Sequence, residues 1–412
     1  MIILKTNNNE DKTNNNKIKE FSTREMIFLV IISLLIGLTI GIYFNKNKII
    51  NNNNYYTDEA LSEFVKNYNY ILDNYYEDID KEKLINSAIS GMMNVLDEHS
   101  VYIDSESTSN FSITLDGSYE GLGLQIVKDE ETGYMLITSI FENSPASIAG
   151  LMPGDYIVSV DDKNSSDLTS TEFSKLILES ESNEYNIKIL RDNEEQNIAV
   201  KKNKVTLASV KSDIYERNNK KIGYIYIGIF ANNTYEQFKE ELDKLEKEKI
   251  TDLIIDVRSN TGGHLTSVDS ILDLFLNNKQ IKYQFEQNGK KTKIYSEKNN
   301  NKKYNIILLG NEASASASEV LISSLKENLK AIFIGKKTYG KGTVQQLVEL
   351  KDGTQYKITI KKWLTPNGNW INETKGIEPD VEVELDSKYY ETYDDLDDTQ
   401  LQTAINYICE EE

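Results

Sequence analysis

Cysteine is nearly absent: the 412-residue chain has one, Cys409, so no internal disulfide framework can cross-link it. Histidine is almost as scarce. His99 and His264 are the two present, and with a single cysteine they offer no metal-site spacing. No cofactor is expected. Basic charge is in deficit, with 46 Lys and Arg against 66 Asp and Glu and a formal net charge of -20. A nucleic-acid binder needs a basic footprint, so that class is excluded. No internal repeat is visible, and the length suffices for more than one domain with a sizeable core.

The chain does have a long apolar run. Met26 to Phe44 is uncharged and just long enough to cross a bilayer. Lys12, Lys17, Lys19 and Arg24 precede it; Lys46 and Lys48 follow. The positive-inside rule then puts the N-terminus in the cytosol and the remainder outside. A cleaved signal peptide is the rival, but no A-x-A-like site follows Phe44 and no cysteine offers a lipid attachment site. The run is therefore read as an uncleaved signal anchor at 26–44. It is preceded by a polar, disordered cytoplasmic tail at 1–25 and followed by an Asn-rich linker at 45–54. The expected location is the cell membrane, single-pass, with everything beyond the linker extracytoplasmic.

Residues 55–105 read as a helical region. Leu61, Phe64, Val65, Tyr68, Ile71 and Leu72 share one helical face, and a second helix starts near Asp80. It ends in Leu96-Asp97-Glu98-His99-Ser100, where His99 is read as a structural residue closing the helix. Residues 106–203 alternate short strands and helices. A glycine turn at Gly121-Leu122-Gly123-Leu124 opens a strand, and Ser144-Pro145-Ala146 starts a short helix that Gly150 stops. From 204 to 388, strands such as Leu253–Val257 and Ile306–Leu309 alternate with helices such as Thr234–Lys247. The Asn- and Lys-rich segment 277–303 reads as a surface excursion within that region. A terminal helix at 389–412 carries Leu396, Leu401, Ala404, Ile405 and Ile408 on one face.

Two stretches carry chemistry. Asn311-Glu312-Ala313-Ser314-Ala315-Ser316-Ala317-Ser318-Glu319 joins an apolar strand to a helix, where free N–H groups stabilise a developing oxyanion. Thr338-Tyr339-Gly340-Lys341-Gly342-Thr343-Val344-Gln345 follows another apolar strand and sets Lys341 between glycines. A serine hydroxyl needs a base, and a buried lysine whose ammonium is disfavoured can serve. Taken singly, a serine cluster is a helix cap and a lysine in a glycine turn is a solvated charge. The pair in this order resembles the C-terminal processing peptidases, whose S-A-S-A-S-E and T-F/Y-G-K-G-x-V-Q motifs stand complete here.

That resemblance covers roughly 60–412. It implies Ser316 as nucleophile, Lys341 as base and Gln345 as the residue orienting the lysine. Arg258-Ser259-Asn260-Thr261-Gly262-Gly263 is similar to the family's D-L-R-x-N-x-G-G loop, with Thr261 where proline is common. It implies an oxyanion hole from Gly262 or Gly263 together with Ala317. Ser144 to Ile157 looks like a PDZ domain of the bacterial protease type, which implies peptide binding at Gly121, Leu122, Gly123 and Leu124. The implied fold class is α/β and multidomain: a crotonase-like (ββα spiral) serine protease core with a PDZ domain and helical arms, after one transmembrane helix. The family's N-terminal helices and chain ends mediate dimer contacts, so a homodimer is compatible.

The expected function is a membrane-anchored extracytoplasmic serine endopeptidase that takes protein or peptide C-terminal tails through its PDZ domain. Two alternatives stay open: a PDZ scaffold on a silent protease core, and an acyl-transfer or hydratase-like enzyme on the same fold. His264, just after the glycine loop, is the rival base, but the family uses no histidine there.

Overall fold

The computed structural model describes residues 58–103, 112–300, 304–350 and 354–410. The signal-anchor segment 26–44 lies outside them. Among the described residues no helix is long and apolar enough to cross a membrane. The chain divides into two units, Met1–Ala88 and Ile89–Glu412.

In the first unit the helix Glu59–Asn74 starts at Asp58, whose carboxylate accepts from the Ala60 N–H at 2.9 Å. No residue of this helix is buried: Leu61, Phe64, Val65 and Ile71 leave its apolar face open.

The second unit holds four sheets. The largest core belongs to a six-stranded sheet. Its antiparallel hairpin Val210–Arg217 and Lys220–Ile227 continues in parallel through Asp252–Asp256, Asn305–Gly310, Ile332–Gly335 and Val381–Glu382. The apolar runs in these strands are continuous because both faces are covered. Leu253, Ile255, Ile306 and Leu308 pack with the helices Thr234–Lys247, Leu265–Leu272 and Ala317–Leu329. The alternate residues Ile254, Ile307 and Leu309 pack with Leu401, Ala404, Ile405 and Ile408.

Those last four belong to the terminal helix Thr399–Glu410. The apolar face is real, but it is closed by the chain's own sheet. Leu396, counted on that face from sequence, lies before the helix and is exposed.

Segment 277–303 also departs from its reading as a surface excursion. Ile281–Gln287 and Lys290–Tyr295 form a hairpin inside a five-stranded sheet with Val101–Ile103, Thr343–Glu349 and Gln355–Leu364. Lys282 is buried there because Asp269 and Asp273 take its ammonium at 2.9 and 3.2 Å.

Residues 118–206 close around a core of their own. The two-stranded ladder of Ser118–Gly121 with Asn203–Thr206 pairs their ends. Between them a six-stranded sheet and the helices Pro145–Ala149 and Ser170–Leu178 close around Met135, Ile137, Ile157, Phe173, Ile187 and Ile189. Ser144 caps the short helix, Gly150 ends it, and Thr169 with Glu172 forms a capping box on the longer one.

Candidate active site

A cavity of about 580 Å3 opens at the carboxyl ends of Asp252–Asp256 and Asn305–Gly310. Ser316, Ala317, Gly262, Gly263, Lys341 and Gln345, drawn from three separate stretches of sequence, all line it. So do His264, Lys357 and Trp363.

Ser316 stands at the start of helix Ala317–Leu329 with φ 55 and ψ -112. A positive φ is strained for a residue with a Cβ and persists only where its surroundings hold it. Here they do. The neighbouring serines are fully buried: the Ser314 hydroxyl donates to Val257 O at 2.7 Å and the Ser318 hydroxyl to Asn260 O at 2.8 Å. The Ser316 N–H donates to Glu319 Oε2 at 2.8 Å.

Glu319 is the residue that sequence reasoning missed as part of the site. It is wholly buried. Besides the Ser316 N–H, it accepts the Thr338 hydroxyl and the Gly340 N–H on Oε1, both at 2.6 Å, and the Lys341 N–H on Oε2 at 2.9 Å. Burial raises its pKa above the ordinary value, and these four donors oppose the rise. The spacing Ser316-x-x-Glu319 is that of a capping box, the one sequence signal that could have found it. Two indoles hold the Lys341 turn from the other side: Trp363 Nε1 donates to Lys341 O at 2.8 Å and Trp370 Nε1 to Gly342 O at 2.9 Å.

Lys341 lines the cavity. Burial, and then the charge of Lys357, lower its pKa; Glu319, Asp97 and Glu98 oppose this. Burial lowers the Lys357 pKa as well. Gln345 Nε2 donates to Thr343 Oγ1 at 2.8 Å and to Thr359 Oγ1 at 3.1 Å.

Gly262 packs directly against the serine turn: a Cβ there would lie 2.8 Å from Ser316 Cβ and 3.2 Å from Ala317 N. Its own N–H donates to Asn260 Oδ1 at 2.8 Å. The N–H groups of Gly263 and Ala317 have no protein acceptor among the described residues. His264 begins the helix Leu265–Leu272, and its Nε2 is buried without a partner. His99 is largely buried after the turn at Asp97, and burial, then the charge of Lys341, lower its pKa. Among the described residues no group of His, Cys, Asp and Glu is arranged to hold a metal ion.

Gly121, Leu122, Gly123 and Leu124 do not line this cavity; they belong to the 118–206 sheet of the same unit. Leu124–Lys128 is an edge strand of its sheet. Gly123 O accepts from the Phe141 N–H at 3.0 Å and the Ser144 hydroxyl at 3.1 Å, and Leu122 O from the Ala146 N–H at 2.8 Å. Tyr119 folds over this turn. Its ring fills the space a Gly121 side chain would need, with Cε2 2.3 Å from a Cβ there. Burial raises the Tyr119 pKa, and the backbone at Gly123 opposes the rise.

Three family models match in succession: an activating protease CtpB N-terminal domain at 43–107, a PDZ domain at 121–201 and peptidase family S41 at 221–383. The carboxy-terminal processing protease CtpB of Bacillus subtilis is 38% identical over 79% of this chain and 68% of its own length. CtpA of the same organism is 32% identical over 91% and 80%. Among solved structures, the photosystem II D1 C-terminal processing protease aligns with a TM-score of 0.44 at 24% identity, covering 75% of this chain and 84% of that one. The chain belongs to the carboxy-terminal processing proteases of peptidase family S41, with a PDZ domain ahead of its protease domain.

Proposed function

We propose that this protease is an endopeptidase working through Ser316 and Lys341. The observation that carries the reading is that Lys341 and Ser316 line one cavity, with the lysine's ammonium disfavoured by burial and by Lys357. Ser316 Oγ attacks the scissile carbonyl carbon while its proton passes to Lys341 Nζ. The oxyanion is held by the free N–H groups of Gly263 and Ala317, and Gly262 supplies the close approach between the two loops. Lys341 then protonates the leaving amine as the C–N bond breaks. Water then attacks the acyl carbon, losing its proton to Lys341 Nζ, which returns it to Ser316 Oγ as the ester C–O bond breaks. The Ser316–Lys341 hydrogen bond forms in the substrate complex, where such contacts tighten.

Substrates enter by their C-terminal tails. An extended tail adds to the edge strand Leu124–Lys128, and its carboxylate takes the backbone N–H groups of the Gly121–Leu124 turn. The last side chain sits by Leu124 and Ile126. The core belongs to the crotonase-like type. The run Met26–Phe44 anchors the protein in the cell membrane with the protease outside, and a homodimer is compatible with this placement.

The test is cleavage of an unstructured protein with a free apolar tail. Ser316→Ala and Lys341→Ala each abolish it, and chelators do not. Cleavage that survives both substitutions overturns the reading, and tail binding without any cleavage by the intact chain turns it into the scaffold alternative.

A further inference from the structure

The motif Leu96-Asp97-Glu98-His99-Ser100 has no part in the reaction above, yet it folds against the strand behind Gln345. Val101–Ile103 pairs with Gln355–Lys357 and brings the preceding turn alongside Thr359. Asp97 Oδ1 accepts from the His99 N–H at 2.8 Å and the Thr359 hydroxyl at 3.2 Å. Asp97 Oδ2 accepts from the Ser100 hydroxyl at 2.9 Å, and Ser100 Oγ accepts from the Thr359 N–H at 3.1 Å. Burial pushes the Asp97 carboxyl up, but these hydrogen bonds outweigh it and hold its pKa below the ordinary value.

An ionised carboxylate can only accept. The Thr359 hydroxyl therefore points its one proton at Asp97, and its oxygen faces Gln345 as an acceptor. Only the amide NH2 of Gln345 satisfies that oxygen, and Thr343 Oγ1 takes the second amide hydrogen. With both hydrogens engaged, the Gln345 carbonyl oxygen is the atom left to face the cavity that holds Lys341. The opposite orientation of the amide would aim donors at an amine that is itself a donor.

We propose that Asp97 is a positioning residue for catalysis: through Thr359 it fixes the orientation of the Gln345 amide, so that a carbonyl oxygen is presented to Lys341. The proposal rests on the reading of Lys341 as base and Gln345 as its partner. The chain of hydrogen bonds sets direction, and Asp97 exchanges no proton with substrate.

The experiment is a double-mutant cycle on the full chain, reading kcat and KM for one protein substrate. Asp97→Asn lowers kcat by about tenfold with KM unmoved, because a misplaced base loses its alignment. In a Gln345→Ala background the same substitution changes kcat by less than about twofold, since the group it acts through is gone. Thr359→Val reproduces the loss and Thr359→Ser restores most of it, which keeps the test open if Asp97→Asn folds poorly. Equal factors for Asp97→Asn in both backgrounds overturn the relay and leave Asp97 a structural or electrostatic residue. Wild-type kcat in Gln345→Ala overturns the role of Gln345 itself, and the relay with it.

Discussion

The backbone N–H groups of Ser316 and Lys341 meet on one atom, Oε2 of Glu319, at 2.8 and 2.9 Å. Two loops from different strands are thus set against each other by a single buried carboxylate. An amide in its place brings donors against donors. Glu319→Gln is expected to lower kcat by about a hundredfold through displacement of the two loops. It also costs about 1–3 kcal/mol of stability, as when buried hydrogen-bonding groups are left unsatisfied. Urea unfolding and steady-state kinetics on the same preparation check both. Full activity at wild-type stability contradicts the role.

The three serines of the motif should separate cleanly. Ser314 and Ser318 each tie a buried hydroxyl to a backbone carbonyl, so alanine at either position costs about 1–2 kcal/mol with activity retained in the folded fraction. Ser316→Ala has the reverse pattern: wild-type stability and no cleavage. Denaturation curves and turnover for the three variants decide it, and loss of chemistry at Ser314 or Ser318 with Ser316→Ala active would move the nucleophile.

In the proposed mechanism the neutral Lys341 amine is the base, so activity should rise with pH as Lys341 loses its proton. Burial and the charge of Lys357 hold that pKa below the ordinary lysine value. Lys357→Met removes one depressing charge, so the acid limb of kcat/KM against pH moves to higher pH. An unmoved limb, or one displaced to lower pH, contradicts Lys341 as the titrating group.

In the proposed tail capture an incoming carboxylate competes with the nearby Tyr119 hydroxyl for the Gly123 N–H. Tyr119→Phe keeps the ring over Gly121 and removes the competitor, so a peptide with a free C-terminal carboxylate binds about threefold to tenfold more tightly. An amidated peptide gains nothing. Fluorescence anisotropy with both peptides checks this. Equal affinity of the intact protein for the two peptides would remove carboxylate recognition altogether.

The two motifs that line the cavity were legible because each is local: a strand, a turn of small residues and a helix start, with the spacing intact. The PDZ unit was legible for the same reason, its S-P-A helix bounded by Ser144 and Gly150. The connections between such pieces were not. Asp97 and Thr359 lie far apart in sequence, and only the antiparallel register of Val101–Ile103 with Gln355–Lys357 joins them. Composition misled at 277–303, where Lys282 and Gln284 look like solvated surface. Each is buried because a partner waits: two aspartates for the lysine and Pro366 O, at 2.8 Å, for the glutamine. The terminal helix showed its apolar face but not what would cover it.

The central claim is that Lys341 activates Ser316, and covalent trapping tests it most directly. The full chain is treated at neutral pH with a fluorophosphonate, and the site and rate of modification are read by mass spectrometry. The dyad predicts one adduct, on Ser316, formed at wild-type rate in His264→Ala and lost in Lys341→Ala. An adduct that persists in Lys341→Ala but disappears in His264→Ala, whose Nε2 is the unpartnered nitrogen in the same cavity, would contradict it.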